Sequence, residues 1–129
     1  MNLEVYTALE NEIEYTKKLI EELKNKKSTV LILPETFCDH YKPKELSKYI
    51  RKKVNEHIKY NTDLTIFTYS KIVFDSVRVV VKENNYEGLK VYFKTKEREL
   101  LGIVLPNGRM DNWPDGFFDT EENLLIELL

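Results

Sequence analysis

Apolar or near-apolar residues recur at Tyr6, Leu9, Ile13, Thr16, Ile20 and Leu23, three or four apart, with Glu and Lys between them. That spacing sets them on one helical face and predicts a helix over 3–26. Glu14–Lys18 and Glu22–Lys26 stand four apart, a spacing that supports it. The pattern breaks at Asn25 to Ser28. Thr29-Val30-Leu31-Ile32-Leu33 follows, apolar on both faces and ended by Pro34, which predicts a buried strand. Glu35 to Lys42 is a loop. Pro43 then suits the first turn of a helix, where its missing N–H costs nothing. Leu46, Tyr49, Ile50, Val54, His57 and Ile58 form the apolar face of that helix, predicted over 43–60.

Asn61-Thr62-Asp63 turns the chain into a second strand, Leu64-Thr65-Ile66-Phe67-Thr68. Strand, helix, strand predicts a parallel pair with a right-handed crossover. Ser70 can cap a third helix running through Ile72, Val73, Val77 and Val80. The competing signal is the strand propensity of Val79-Val80-Val81. Leu89, Val91 and Phe93 alternate with Lys90, Tyr92 and Lys94, the period of a half-exposed strand. Lys96-Glu97-Arg98 turns it back through 99–105 as an antiparallel hairpin. Asp119 with Glu122 is a capping box ahead of a short last helix through Leu124, Leu125 and Leu128. The expected fold is α/β and three-layered. Its small mixed sheet has two parallel strands, 29–33 and 64–68, and the hairpin 89–105, with packed helices. The 129 residues form a single domain.

A net charge of −2 argues against the strongly basic balance of most nucleic-acid binders. Cys38 is the only cysteine, so no internal disulfide can form. The first residues show no charged-then-apolar leader, and no apolar run nears the ~18 residues of a membrane span. The expectation is a cytosolic protein with no membrane partner.

The stretch Asn107-Gly108-Arg109-Met110-Asp111-Asn112-Trp113-Pro114-Asp115-Gly116-Phe117-Phe118-Asp119 holds the one Trp and two adjacent Phe among Pro and Gly. It resembles the Trp-Pro-x-Gly-Phe-Phe-Asp ending of a bacterial subgroup of ABC/SMC-type P-loop ATPase heads. That subgroup is linked to DNA metabolism or anti-phage defence. Pro34-Glu35 after a strand, and Thr68-Tyr69-Ser70 after the next parallel strand, resemble elements of the second half of such a head. The resemblance covers about residues 14–129. In the family, acids at the first strand's end hold Mg²⁺ and activate water, and a Thr-His-Ser switch senses the γ-phosphate.

The departures from that pattern bear on chemistry. No Gly-x-x-x-x-Gly-Lys-Ser/Thr loop, whose amides and lysine cradle phosphates, occurs in the chain. The family's acids fall on Ile32 and Leu33, which can neither bind a metal nor polarise water. The switch histidine falls on Tyr69, and a phenol of pKa ~10 cannot replace imidazole near neutrality. The family's serine-glycine signature is also missing before the first helix. The resemblance therefore implies a degenerate head with no catalytic, cofactor-binding or metal-binding residues and no cofactor.

Other candidates weigh as follows. Glu35, Cys38, Asp39 and His40 lie after the first strand, where α/β proteins usually place sites. A metal needs three or four ligands, and the remaining His is His57, on an apolar helical face. Lys48, Arg51, Lys52 and Lys53 could meet phosphates, with Lys17, Lys18, Lys24, Lys26 and Lys27 adding to them. Trp113, Phe117 and Phe118 are candidate interface anchors, since buried aromatics dominate binding energetics; packing over the sheet is the alternative. The expected function is a non-catalytic interaction protein that binds or regulates a full-length ATPase, in a host or as a phage decoy. Trp113, Phe117, Phe118, Arg51 and Lys52 are its contact candidates. The alternatives are a nucleic-acid-binding module using the basic helix faces, a split ATPase whose phosphate loop lies in another chain, and an enzyme working near Cys38.

Overall fold

The computed structural model describes residues 2–33, 43–110 and 114. In chain order the elements are β1 (Leu3–Ala8), α1 (Ile13–Lys24), β2 (Thr29–Leu33), α2 (Pro43–Tyr60), β3 (Leu64–Thr68), α3 (Lys71–Asn84), β4 (Leu89–Lys94) and β5 (Glu99–Val104). The strands form one five-stranded sheet in the order β2-β3-β1-β4-β5. Four are parallel, and β5 returns antiparallel on β4. The mixed α/β sheet, the parallel pair 29–33 and 64–68, and the hairpin are as the sequence predicts.

Strand alternation divides the sheet into two cores. Leu3 and Val5 of β1, Leu64 and Ile66 of β3, and Leu89, Val91 and Phe93 of β4 point to one face. There they meet Leu46, Ile50 and Val54 of α2 and Val73, Phe74, Val77, Val80 and Val81 of α3. Tyr6, Ala8 and Phe67 point to the other face, against Leu19 and Leu23 of α1. This gives three layers, α2 and α3 on one side and α1 on the other.

The predicted helix over 3–26 needs correction: its first part is the central strand β1. Helical spacing holds only from Ile13, and Tyr6 and Leu9 extend it by coincidence. Within Leu3–Ala8 all but Glu4 are buried, because the strand is covered on both faces. Val, Tyr and Thr suit such a strand better than a helix. β2 also departs from expectation. It is the sheet's edge among the described residues and only partly buried up to Leu33. On α1 the observed ion pairs are Lys17–Glu14 and Lys24–Glu21, three apart, in place of the two expected.

α3 forms over the Val run, as the 3-4 spacing predicts. Ser70 caps it, its side chain accepting from the Val73 N–H at 3.4 Å. The last helix predicted beyond Asp119 lies outside the described residues.

Candidate functional site at the carboxyl edge of the sheet

The loop after β1 leads to α1 on one face, and the loop after β3 leads to α3 on the other. β1 and β3 are neighbours, so the connections diverge between them. Open α/β sheets bind ligands at such a point. The edge there is built from Leu9-Glu10-Asn11-Glu12, Thr68-Tyr69-Ser70 and the β4–β5 turn.

β1, four loop residues and α1 have the strand–loop–helix order of a phosphate-binding unit. Their content is opposite to one. The loop has no Gly and no Lys, and it closes on itself through Glu12 N–H to the Leu9 carbonyl at 3.1 Å. Glu12 Oε1 accepts from the Lys96 backbone N–H at 3.1 Å, tying this loop to the β4–β5 turn. Glu14 stands in the first turn of α1. Carboxylates here complement the positive helix end that would otherwise attract a phosphate.

The other matched positions also serve structure. Leu33 belongs to the α2–α3 core and Ile32 packs against the α1 core. The aliphatic pair at the tip of β2 is thus used in packing both faces. Thr68 Oγ1 accepts from the Ser70 N–H at 2.9 Å, and Ser70 caps α3. Tyr69 sits edge-on to Phe67, ring centroids 5.2 Å apart. Burial pushes its phenol up, the Thr16 hydroxyl offsets part of the rise, and the Glu10 carboxylate adds to it. Thr16 Oγ1 is itself buried without a hydrogen bond of regular geometry.

The remaining candidates are scattered. Arg51 on α2 pairs with Glu83 of α3 at 2.7 Å, while Lys52 is exposed. Lys53 lies over the Tyr49 ring at 5.9 Å. The lysines of α1 cannot extend this basic set, because α1 and α2 lie on opposite sides of the sheet; that expectation is corrected. Lys26 turns inward instead, donating to Tyr6 Oη at 3.0 Å and pairing with Glu4. His57 Nδ1 lies 2.7 Å from Thr62 Oγ1 at the end of α2, a satisfied, partly buried histidine. Glu35, Cys38, Asp39, His40, Trp113, Phe117 and Phe118 lie outside the described residues. No group of three or more His, Cys, Asp or Glu suited to a metal occurs among the described residues. No helix among them is long and apolar enough to cross a membrane.

Pro106-Asn107-Gly108 reads as a turn in the sequence and is one after β5; what sequence reasoning missed is how it is anchored. Gly108 is buried with φ +84°, and its carbonyl accepts from Arg78 Nε at 2.8 Å. Leu105 N–H bonds the Arg109 carbonyl, and Arg109 N–H bonds Asn107 Oδ1. The Asn-Gly pair signalled the turn, but its anchor on α3 is a long-range contact.

Fold and edge together define a small three-layer α/β domain with a mixed sheet. Residues 90–128 match a family described as a protein of unknown function (DUF3696). The match takes in nearly all of the hairpin, the anchored turn and the segment beyond it. No curated protein matches the chain, and no solved structure does.

Proposed function

We propose that this chain is a non-catalytic interaction protein, a degenerate ATPase-head fragment that docks on a full-length ATPase and regulates it. One observation carries the reading. The strand–loop–helix unit at the divergence of β1 and β3 carries Glu10, Glu12 and Glu14 where a phosphate cradle would need glycines and a lysine. Two further features support it: Ile32 and Leu33 are committed to packing, and the Thr68 and Ser70 hydroxyls to capping. Each of these four described positions has another task in the fold. Trp113, Phe117 and Phe118 are the proposed contacts, with Arg51 and Lys52 on α2; the partner is a protein of the cytoplasm. The link to DNA metabolism or anti-phage defence comes from the resemblance of the Trp-Pro-x-Gly-Phe-Phe-Asp ending alone.

The test is purification of the tagged chain from its native cell under gentle conditions. Titrating the chain against ATP turnover by the recovered partner follows. The expected result is an ATPase in the eluate whose turnover changes saturably with added chain. Recovery of the chain alone as a monomer would overturn the reading. So would Mg-ATP binding to the isolated chain that disappears on substitution in the 9–12 loop.

A further inference from the structure

The turn after β5 packs against α3, and a cleft of about 290 Å³ opens between them. Asp75, Arg78, Val79 and Lys82 of α3 line one wall, and Asn107 to Arg109 the other. The cleft lies at the opposite end of β5 from the carboxyl edge of the sheet, apart from the site described above. Its two walls are tied together. Gly108 sits so close to α3 that an added Cβ would meet the Arg78 carbonyl oxygen at 3.1 Å. Arg78 spans the gap, its Nε donating to the Gly108 carbonyl at 2.8 Å and its Nη1 to Asp75 at 2.9 Å.

The lining gathers positive charge. Its carboxylate, Asp75, is held by two cations, since Lys71 Nζ also reaches it at 3.1 Å. That leaves Lys82 and Arg109, one from each wall, and neither side chain has an ion pair among the described residues. Both residues are exposed. Asn107 adds a donor. Its Oδ1 accepts from the Arg109 N–H at 3.0 Å, which orients the amide and leaves Nδ2 to donate. Val79, 41% exposed, gives the lining an apolar portion, and the stems of long cationic side chains extend such a surface.

We propose that this cleft binds a small phosphomonoester. A tetrahedral dianion suits donors offered from two separate walls, Lys82 as a point charge and Arg109 as a planar fork. Arg78 adds its field without giving up the bonds that hold the turn. A carboxylate carries one charge and two oxygens, and it would leave part of this donor set idle. The volume is just under the ~300–1,000 Å³ usual for ligand pockets, enough for a phosphoryl group with a compact apolar body against Val79. None of this rests on the relation to ATPases.

Titration of the isotope-labelled full chain with phenyl phosphate, followed by NMR, tests it. Low salt is needed, because exposed charges are readily screened. Saturable shifts should concentrate at Asn107 to Arg109 and around Val79 and Lys82 on α3. Lys82→Gln and Arg109→Gln should each weaken binding by roughly three- to fivefold, the range of a partly exposed charge pair. Lys18→Gln, on the α1 side of the sheet, should change nothing. Inorganic phosphate should bind at the same place more weakly, and Val79→Ala should narrow that difference. If Arg109→Gln disturbs the turn, Lys82→Gln alone carries the test. Shifts centred elsewhere, or an affinity indifferent to these substitutions, would overturn the proposal. Phenylacetate binding as tightly as phenyl phosphate would make the cleft a carboxylate site. An oligonucleotide without a terminal phosphate binding more tightly would make it a nucleic-acid contact. Either result would also overturn the proposal.

Discussion

Replacing Gly108 by alanine tests how the turn after β5 is held. Its φ of +84° lies where a side chain costs about 1–2 kcal/mol. The new Cβ would stand 3.1 Å from the Arg78 carbonyl oxygen and 3.3 Å from Lys82 Cβ. Both atoms belong to α3, whose inner side is fixed in the core, so the turn must lift. Lifting stretches the 2.8 Å bond from Arg78 Nε to the Gly108 carbonyl. Arg78 would keep its 2.9 Å pair with Asp75 and its place over Phe74. Together these effects should cost roughly 2–4 kcal/mol. That is a large part of the ~5–15 kcal/mol that holds such a domain together.

Gly88→Ala is the control. It has φ +113°, but its nearest contact would be Tyr86 Oη at 3.9 Å. It should show the backbone cost without the clash, about 1–2 kcal/mol. Urea unfolding followed by circular dichroism measures both, and an unchanged slope would certify a pure stability effect. A Gly108→Ala chain within ~0.5 kcal/mol of wild type would refute the anchored turn, because surface changes free of such constraints fall in that range.

Other substitutions probe the edge and the flanking face. Ser70→Ala should lose ~0.5–1 kcal/mol in thermal or urea melts, and Ser70→Gly only a few tenths, as a capping hydroxyl demands; an unchanged Ser70→Ala would refute the cap. Tyr6 is buried, stacked on Tyr92 at 4.5 Å, and pushed up to about 12 by burial and then by the Glu4 carboxylate. Its folded value exceeds the unfolded one, so its contribution is complete below pH ~10 and lost as pH rises toward the folded value. Unfolding free energies measured across that window should fall by on the order of 2 kcal/mol and flatten in Tyr6→Phe. Arg51→Ala should cost under ~1 kcal/mol, because its pair with Glu83 is partly exposed. A gel shift over a salt series, with Arg51→Glu and Lys52→Glu beside wild type, decides the nucleic-acid reading, since a phosphate-dominated complex weakens steeply with salt.

The parts of the fold legible in sequence are those where one local signal decides. The Leu89/Val91/Phe93 alternation gave β4, Ser70 gave the start of α3, and Pro43 the start of α2. Leu3–Ala8 was not legible, because a central strand is apolar on both sides and imitates whichever period adjoins it. The two basic sets looked additive along the chain. Only the sheet between α1 and α2 shows that they face apart. The acidic content of the 9–12 loop was readable as letters. Its place at the divergence of β1 and β3 was not, since it depends on β3 inserting between β2 and β1.

What the sequence determined by itself is chemical. It fixes where carboxylate, imidazole and glycine do and do not stand, because side-chain identity needs no partner. What tertiary structure decided is use. Ile32 and Leu33 were drawn into packing, the Thr68 and Ser70 hydroxyls became a turn and a cap, and no described residue covers Leu101 and Ile103. Those outcomes depend on which strands become neighbours, and long-range burial, which no local period records, selects them.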